Sequence, residues 1–241
     1  MIITGVKKGR YNCLMQQDEL IETIAGKIAH IRTAHPLPVA VDGIDASGKT
    51  VFADELAQSL VKSQRPVIRV SVDGFHLPKA VRWQKGPLSP EGYYQDSFDY
   101  PALIENLLLP LAPQGCRRYR AAVFDLRQDC SLDLPWQTAE DDAILIFDGI
   151  FLHRPVLLPH WDVTLFLQVE FDNAVLRGVA RDRDLFTTQE ECLLRYEQRY
   201  VPGQKTYLKE ACPLDKAHIL IDNNNLDEPE IIKLSMKPEE M

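Results

Sequence analysis

Gly43-Ile44-Asp45-Ala46-Ser47-Gly48-Lys49-Thr50 is the stretch on which the reading of this chain turns. It fits the spacing of a glycine, four free positions, then Gly-Lys-Thr. Each fixed residue answers a physical need. The glycines let the main chain take conformations closed to other residues and bring its N–H groups near phosphate oxygens. Those N–H groups, with the N-terminus of a following helix, hold negative charge. The lysine reaches the outer phosphates, and the threonine hydroxyl is a hard-oxygen ligand for Mg²⁺. With glycine near ~7% of residues, four fixed positions coincide by chance in a chain this long on the order of once per hundred proteins. Context lowers that figure: the apolar run Val39-Ala40-Val41 precedes the loop, and Lys49 to Ser63 carries Phe52, Leu56, Leu60 and Val61 at helical spacing. Gly43, Ile44, Asp45, Ala46, Ser47, Gly48, Lys49, Thr50 and Val51 are therefore expected to hold a nucleotide's phosphates. The loop alone leaves kinase, ATPase and GTPase open.

Outward from the loop the chain alternates. Val67–Val72 reads as a strand, and Pro101 to Leu109 as a helix with proline in its favoured first turn. Ala143–Phe147 and Val163–Val169 are continuous apolar runs, as strands buried on both faces require. Residues 172–182 and 188–200 read as helices, and His218–Ile221 as a last short strand. This order predicts an α/β protein, an open parallel sheet flanked by helices on both faces. Upstream, Gln16 to Ala34 carries Leu20, Ile21, Ile24, Ile28 and Ile31 at helical spacing before His35-Pro36-Leu37-Pro38 breaks it. The expected organisation is an N-terminal helical extension over 1–36, one core over 37–225 and a C-terminal tail over 226–241. The extra helix is either a contact in a homo-oligomer or cladding.

Two acids end strands. Asp73 follows Val67–Val72, and ligands of open α/β sheets bind beyond the carboxyl ends of the strands. A carboxylate there can accept the proton of an attacking hydroxyl, or it is a turn aspartate before Gly74. Asp148 follows Ala143–Phe147 and can hold Mg²⁺ directly or through water, or serve the same kind of turn. His76 is either a substrate contact or a packed loop histidine. Tyr93, Tyr94, Phe98 and Tyr100 either line an acceptor pocket or pack a loop. Arg117, Arg118, Arg120 and Arg127 are either a solvated basic face or a site for an anionic acceptor; the first pair reads as the solvated face, with Arg127 open. Arg177 and Arg181 share a helix face, positioned to clamp phosphates or to pair with Asp182 and Asp184.

The chain has 241 residues, 45% hydrophobic and 26% charged, with a formal net charge of −8. That excess of acid argues against a nucleic-acid coat or a membrane-surface binder, both of which need surplus Lys and Arg. Five scattered cysteines, Cys13, Cys116, Cys130, Cys192 and Cys212, form no zinc-ligand spacing and read as reduced thiols of a cytoplasmic protein. Lys7, Lys8 and Arg10 precede no apolar run of signal-peptide type. No run approaches the ~18 apolar residues that span a bilayer.

Taken in order, Gly43–Thr50, Asp73-Gly74-Phe75-His76, Phe98-Asp99-Tyr100-Pro101 and Phe147-Asp148-Gly149-Ile150 resemble the uridine kinase and phosphoribulokinase-like family, to which pantothenate kinases are also related. Arg177-Gly178-Val179-Ala180-Arg181-Asp182 looks like the family's Arg-rich lid helix. Arg199–Gln204 with Ala217–Asp222 resembles its closing helix and last strand. The likeness runs from about Leu37 to Asn223. It implies a P-loop kinase fold with a five-stranded parallel sheet, a mobile lid over about 177–190, and ATP with Mg²⁺ as cofactors. On the resemblance, Asp73 is the general base, Thr50 and Asp148 hold magnesium, and Lys49, Arg177 and Arg181 neutralise charge. Asp73, His76, Asp99, Tyr119 and Arg127 are the substrate-binding candidates, with Asp99 on sugar hydroxyls and Tyr119 on a base. Three features depart from the family: Asp148 stands where glutamate is usual, Arg120–Arg127 after Tyr119 contains no histidine, and Asp182-Arg183-Asp184-Leu185 is a short lid connection. The expected activity is phosphorylation of a small-molecule hydroxyl, a nucleoside such as uridine or cytidine first. A pantothenate-like acid, a sugar, or an ATP-binding switch without phosphotransfer are the rivals.

Overall fold

The computed structural model describes residues 17–183, 186 and 188–236. Lys7, Lys8, Arg10, Cys13, Gln16, Asp184 and Leu185 lie outside the described residues. Helix α1 (Gln17–His30) leads to β1 (Leu37–Gly43), the glycine loop, α2 (Lys49–Leu60) and β2 (Val67–Ser71). Next come short helices α3 (Lys79–Arg82), α4 (Pro90–Asp96), α5 (Tyr100–Leu103) and α6 (Leu109–Leu111). Four two-residue strands follow, β3 (Arg118–Tyr119) paired with β6 (Gln137–Thr138) and β4 (Phe124–Asp125) with β5 (Cys130–Ser131). The second half runs through β7 (Ile144–Gly149), β8 (Val163–Gln168), α7 (Phe171–Asp182), α8 (Gln189–Arg195), α9 (Val201–Ala211), α10 (Pro213–Lys216), β9 (Ile219–Asp222) and β10 (Glu230–Leu234).

The main sheet has the order β10-β9-β8-β1-β7-β2. All its pairs are parallel except β10 on β9. Alternation of side chains along each strand divides the core in two. Val39, Val41, Ile144, Ile146, Val163 and Leu165 face α1 and α2, where Leu20, Ile24, Ile28, Phe52 and Leu56 pack. Ala40, Leu145, Phe147 and Phe166 face the opposite layer of Phe75, Phe98, Phe151 and Tyr207. Both faces of β1 and β7 are therefore buried, which explains their unbroken apolar runs.

Helix α1 is stitched to this core as well as laid upon it. Arg65, itself buried, donates from Nη1 to the Ile31 carbonyl at 2.8 Å and from Nε to the Asp142 carbonyl at 2.7 Å, closing the end of α1 against the sheet. The stretch expected as a tail behaves differently from a tail. Glu230–Leu234 adds an antiparallel strand, with Ile231 opposite Ile221. An edge strand buries only one face, so its sequence signal is weak. Helix α9 lies where the resemblance of Arg199–Gln204 to a closing helix places one, despite Pro202 and Gly203. Proline sits in its first turn, where no N–H is needed. A Cβ on Gly203 would meet Tyr93 Cδ1 at 2.8 Å and the Pro90 carbonyl at 2.9 Å, so glycine lets α9 lie against α4.

Candidate active site

β1 ends in the middle of the sheet, and β2, β7 and β8 end beside it. The loop after β1 therefore opens into a crevice flanked by the carboxyl ends of its neighbours. That crevice is a cleft of about 400 Å³ lined by Asp45, Lys49, Thr50, Asp73, His76, Asp148 and Arg181 among others.

The loop is closed tightly upon itself. A Cβ on Gly43 would meet Ser47 Oγ at 2.5 Å and the Leu167 carbonyl at 2.9 Å. Gly48 has φ 87°, and Ala46, at φ 55°, shares that left-handed region. Asn223, after β9, donates from Nδ2 to the Ser47 carbonyl at 2.7 Å. Behind it, the Arg177 guanidinium donates to the carbonyls of Asn223 and Asn224. The Lys49 ammonium folds back onto the Ile44 carbonyl at 2.9 Å, so its charge lies within the loop's curve. Ser47 Oγ is buried and has no protein partner. Loop, lysine and free hydroxyl together fit a phosphate group.

Thr50 and Asp148 meet at the base of the loop, with Thr50 Oγ1 donating to Asp148 Oδ2 at 2.7 Å. Asp148 is almost wholly buried, and its other oxygen lies 2.8 Å from an Arg69 Nη1. That approach is close enough for an ion pair but not aligned as a hydrogen bond, so the Oδ1 lone pairs remain open. Two hard-oxygen donors, one with unused capacity, fit Mg²⁺ that keeps several of its waters. Arg69, on β2, was not anticipated; it faces Asp148 because Ser71 lies opposite Asp148 in the parallel register.

Asp73 follows β2, within a short 3₁₀ turn capped by Ser71. Its carboxylate reaches the water of the cleft while protein surrounds it on most sides. Burial raises its pKa, repulsion from Asp148 and Asp45 adds to the rise, and Lys49 and Arg181 oppose it. A carboxylate so placed is a better proton acceptor than an exposed one. His76 lines the same cleft, its ring 4.5 Å from that of Phe98. Burial, then the nearby Arg82 charge, depress its pKa to about 4.

Arg181 reaches the cleft, gripping Asp182 through Nε at 2.6 Å and Nη2 at 2.9 Å. Tyr196 donates its hydroxyl to the same carboxylate at 2.8 Å. Burial pushes Asp182 up, but the hydrogen bonds from Arg181 and Tyr196, with the Arg181 charge, outweigh it and hold its pKa below the usual range. Glycine at 178 is obligatory there, since a Cβ would lie 2.2 Å from the Tyr196 hydroxyl. Arg181 thus pairs with Asp182 while lining the cleft.

Outside the segment 43–51, four expected site residues lie apart from the cleft lining. Asp99 caps α5, accepting from the Ala102 N–H at 2.9 Å. Tyr119 is buried in the β3–β6 ribbon and donates its hydroxyl to Gln137 at 3.0 Å. Arg127 is exposed beside Leu126, which does line the cleft. Arg177 braces the loop from behind. Asp99 is spent on a local backbone N–H, Tyr119 on a side-chain partner and Arg177 on distant carbonyls, none of which motif spacing reveals. Of the aromatic group, Tyr93 and Phe98 line the cleft, whereas Tyr94 and Tyr100 stack under Arg154. Arg117 and Arg120 pair with Asp141 and Asp133, but their side chains are largely covered and form no solvated face.

Several lining residues escaped the sequence reading: Arg82, Trp83, Arg195, Tyr196, Arg199 and Tyr200. The spacing of Arg195 and Arg199, one helical turn apart, was the only signal available. Asp45 was assigned to the loop for its main chain, but its carboxylate is bound by the Tyr93 hydroxyl and by Gln204 Nε2 at 3.1 Å, tying the loop to α4 and α9.

Fold and loop together define an α/β protein of the P-loop kinase type. In sequence and fold it resembles the uridine kinase and phosphoribulokinase-like kinases. No family model matches the chain. It is 26% identical over 176 residues to uridine-cytidine kinase B of Dictyostelium discoideum, covering 72% of this chain and 70% of that one. Among solved structures, a possible uridine kinase from Bacillus stearothermophilus superposes with a TM-score of 0.66 at 22% identity, covering 84% of this chain and 97% of the other. D-glycerate 3-kinase from Cryptococcus neoformans var. grubii superposes at 0.56 with 13% identity, covering 89% and 97%. Among the described residues no helix is long and apolar enough to cross a membrane.

Proposed function

We propose that this chain is a small-molecule kinase that transfers the γ-phosphoryl group of ATP to a hydroxyl, with Asp73 as general base. The observation that carries the reading is the placement of Asp73 in one cleft with Lys49 and the Thr50–Asp148 pair. Its likeness to kinases supports the same class. The main-chain N–H groups of Gly43–Thr50 would hold the phosphates, and Thr50 with Asp148 the magnesium. The metal, when bound, neutralises phosphate charge. Asp73 accepts the hydroxyl proton as the bond to phosphorus forms. Lys49 exchanges its Ile44 carbonyl for phosphate oxygens, and Arg181 offsets charge on the transferring group. Work of this kind is mainly positioning and electrostatics.

The N-terminal extension, the core and a lid over about 177–190 remain our proposed division of the chain. A nucleoside is the acceptor favoured by sequence likeness, but Asp99 and Tyr119, the residues assigned to hold it, do not line the cleft. The acceptor class is therefore better sought among residues that do. Asp73→Asn tests the reading. Turnover should fall by about 10²-fold or more while Mg²⁺·ATP still binds by calorimetry. Undiminished turnover in the variant would remove Asp73 from the chemistry. Tight nucleotide binding with no acceptor turned over by the wild type would favour a switch instead.

A further inference from the structure

The two ends of the cleft differ in charge. Around the loop, Asp45, Asp73 and Asp148 face Lys49 and Arg181. At the other end Arg82, Arg195 and Arg199 gather beside His76, Trp83 and Phe98. Among the described residues, ion pairing reaches this second group through Asp129, 3.3 Å from Arg82 Nη2 and itself partly exposed.

The three arginines are held in different ways. Arg199 is buried, its Nη1 donating to the carbonyls of Pro87 and Ser89 at 3.2 Å each. Carbonyls satisfy its hydrogens without supplying net charge. Arg82 donates from Nε to the Leu77 carbonyl at 2.7 Å. Among the described residues Arg195 makes neither kind of bond. Its guanidinium lies 5.5 Å from the Trp83 ring centroid and 5.4 Å from that of Phe186, and its buried Nε has no acceptor. Desolvation lowers the pKa of Arg199, and repulsion from Arg195 and Arg82 adds to this. Three like charges at one end of a cleft, one of them unsatisfied, form a site short of one anion. Aromatic walls fix the planar guanidinium of Arg195 in place for a bidentate partner.

We propose that this end receives an anionic group of the phosphate acceptor, a carboxylate or a phosphate ester, with Arg195 as its main contact and Arg82 as the second. The substrate class is then a hydroxy acid or a sugar phosphate rather than a neutral nucleoside. The assignment rests on the phosphotransfer reading above and narrows it.

The test measures ADP release with a panel of neutral nucleosides, neutral sugars, hydroxy acids such as glycerate and a pantothenate-type acid, and sugar phosphates. Turnover is expected with an anionic member, and whether a carboxylate or a phosphorylated one is preferred distinguishes the two sources. For that acceptor Arg195→Gln should raise KM by about 10- to 100-fold, the value of one charge-assisted contact. Arg195→Lys should recover part of the loss, because it restores charge but not the fork. Nucleotide affinity, measured separately by calorimetry, should hold within about twofold in both variants. A neutral nucleoside as best acceptor, or acceptor KM indifferent to Arg195→Gln, would overturn the proposal. So would an anionic panel left untouched by a protein that still binds Mg²⁺·ATP. Failure to bind Mg²⁺·ATP at all would instead defeat the kinase reading beneath it.

Discussion

Asp42, the residue before the glycine loop, is wholly buried and collects hydrogen bonds from three directions. Its Oδ1 accepts from the Gly43 N–H at 2.7 Å, and its Oδ2 from His153 Nδ1 at 2.7 Å and from the Tyr207 hydroxyl. His153 and Tyr207 are as buried as Asp42. The carboxylate thus ties the start of the phosphate loop to the segment after β7 and to α9. Tyr207→Phe keeps the ring, which packs 5.1 Å from Phe151, and removes one bond to a charged acceptor. Such a bond contributes about 1.5–3 kcal/mol. At ~2–4 °C per kcal/mol for a chain this size, the melting temperature should drop by about 3–12 °C. Asp42→Ala orphans three buried donors at about 1–3 kcal/mol each, a loss of about 3–9 kcal/mol if they add. Against a typical total of about 5–15 kcal/mol, that variant should be barely folded. Because Asp42→Ala already removes the acceptor of the tyrosine hydroxyl, which itself accepts from the His153 N–H at 3.1 Å, Asp42→Ala/Tyr207→Phe should lose less than the sum of the two single losses. Thermal and urea unfolding followed by circular dichroism measure all three. A Tyr207→Phe protein melting within about 1 °C of wild type, or strictly additive losses in the double variant, would refute a shared network.

Asp73 has a raised pKa, so the folded state holds its proton more firmly than the unfolded one, and stability is lost as pH rises from 3.8 through the folded value. Asp73→Asn should therefore stabilise the ligand-free protein near neutral pH, with the gain vanishing in acid; a destabilised variant at neutral pH would contradict the sign. His76, depressed to about 4 from 6.5, makes the opposite contribution: stability present above 6.5 is lost as pH falls toward the folded value. Its ring proton resonances should stay fixed until the pH nears 4, and a midpoint close to 6.5 by NMR would contradict the burial seen here. Asp148→Asn should weaken Mn²⁺ binding in the presence of ATP by about 10-fold or more, read by EPR titration, and unchanged affinity would remove Asp148 from the metal site.

Much of the architecture was legible because it rests on local periodicity. β1, β7 and β8 were found from apolar runs that only a doubly covered strand can bear. β10 was missed where that logic weakens, because an edge strand has one buried face. α9 was reached only through the resemblance of Arg199–Gln204, since its periodicity is interrupted by Pro202-Gly203. The candidate site divides in the same way. The loop residues were legible from spacing, because a phosphate cradle is built from consecutive main-chain groups. The strand-end acids Asp73 and Asp148 were legible from the fold rule that places ligands there. Asp99 and Tyr119 stood in suggestive positions, but one was spent on a helix cap and the other on a ribbon hydrogen bond.

By itself, the order of residues determined an α/β sheet, a loop shaped for phosphate and two carboxylates beyond strand ends. These features follow from neighbours in sequence and from the regular geometry of strand and helix. Only the tertiary structure decided that Arg69 stands against Asp148, that Asp42, His153 and Tyr207 share one buried network, and that Arg82, Arg195 and Arg199 crowd one end of the cleft. Those side chains come from segments far apart in the chain. Their meeting depends on how helices pack across the sheet, which no local pattern encodes.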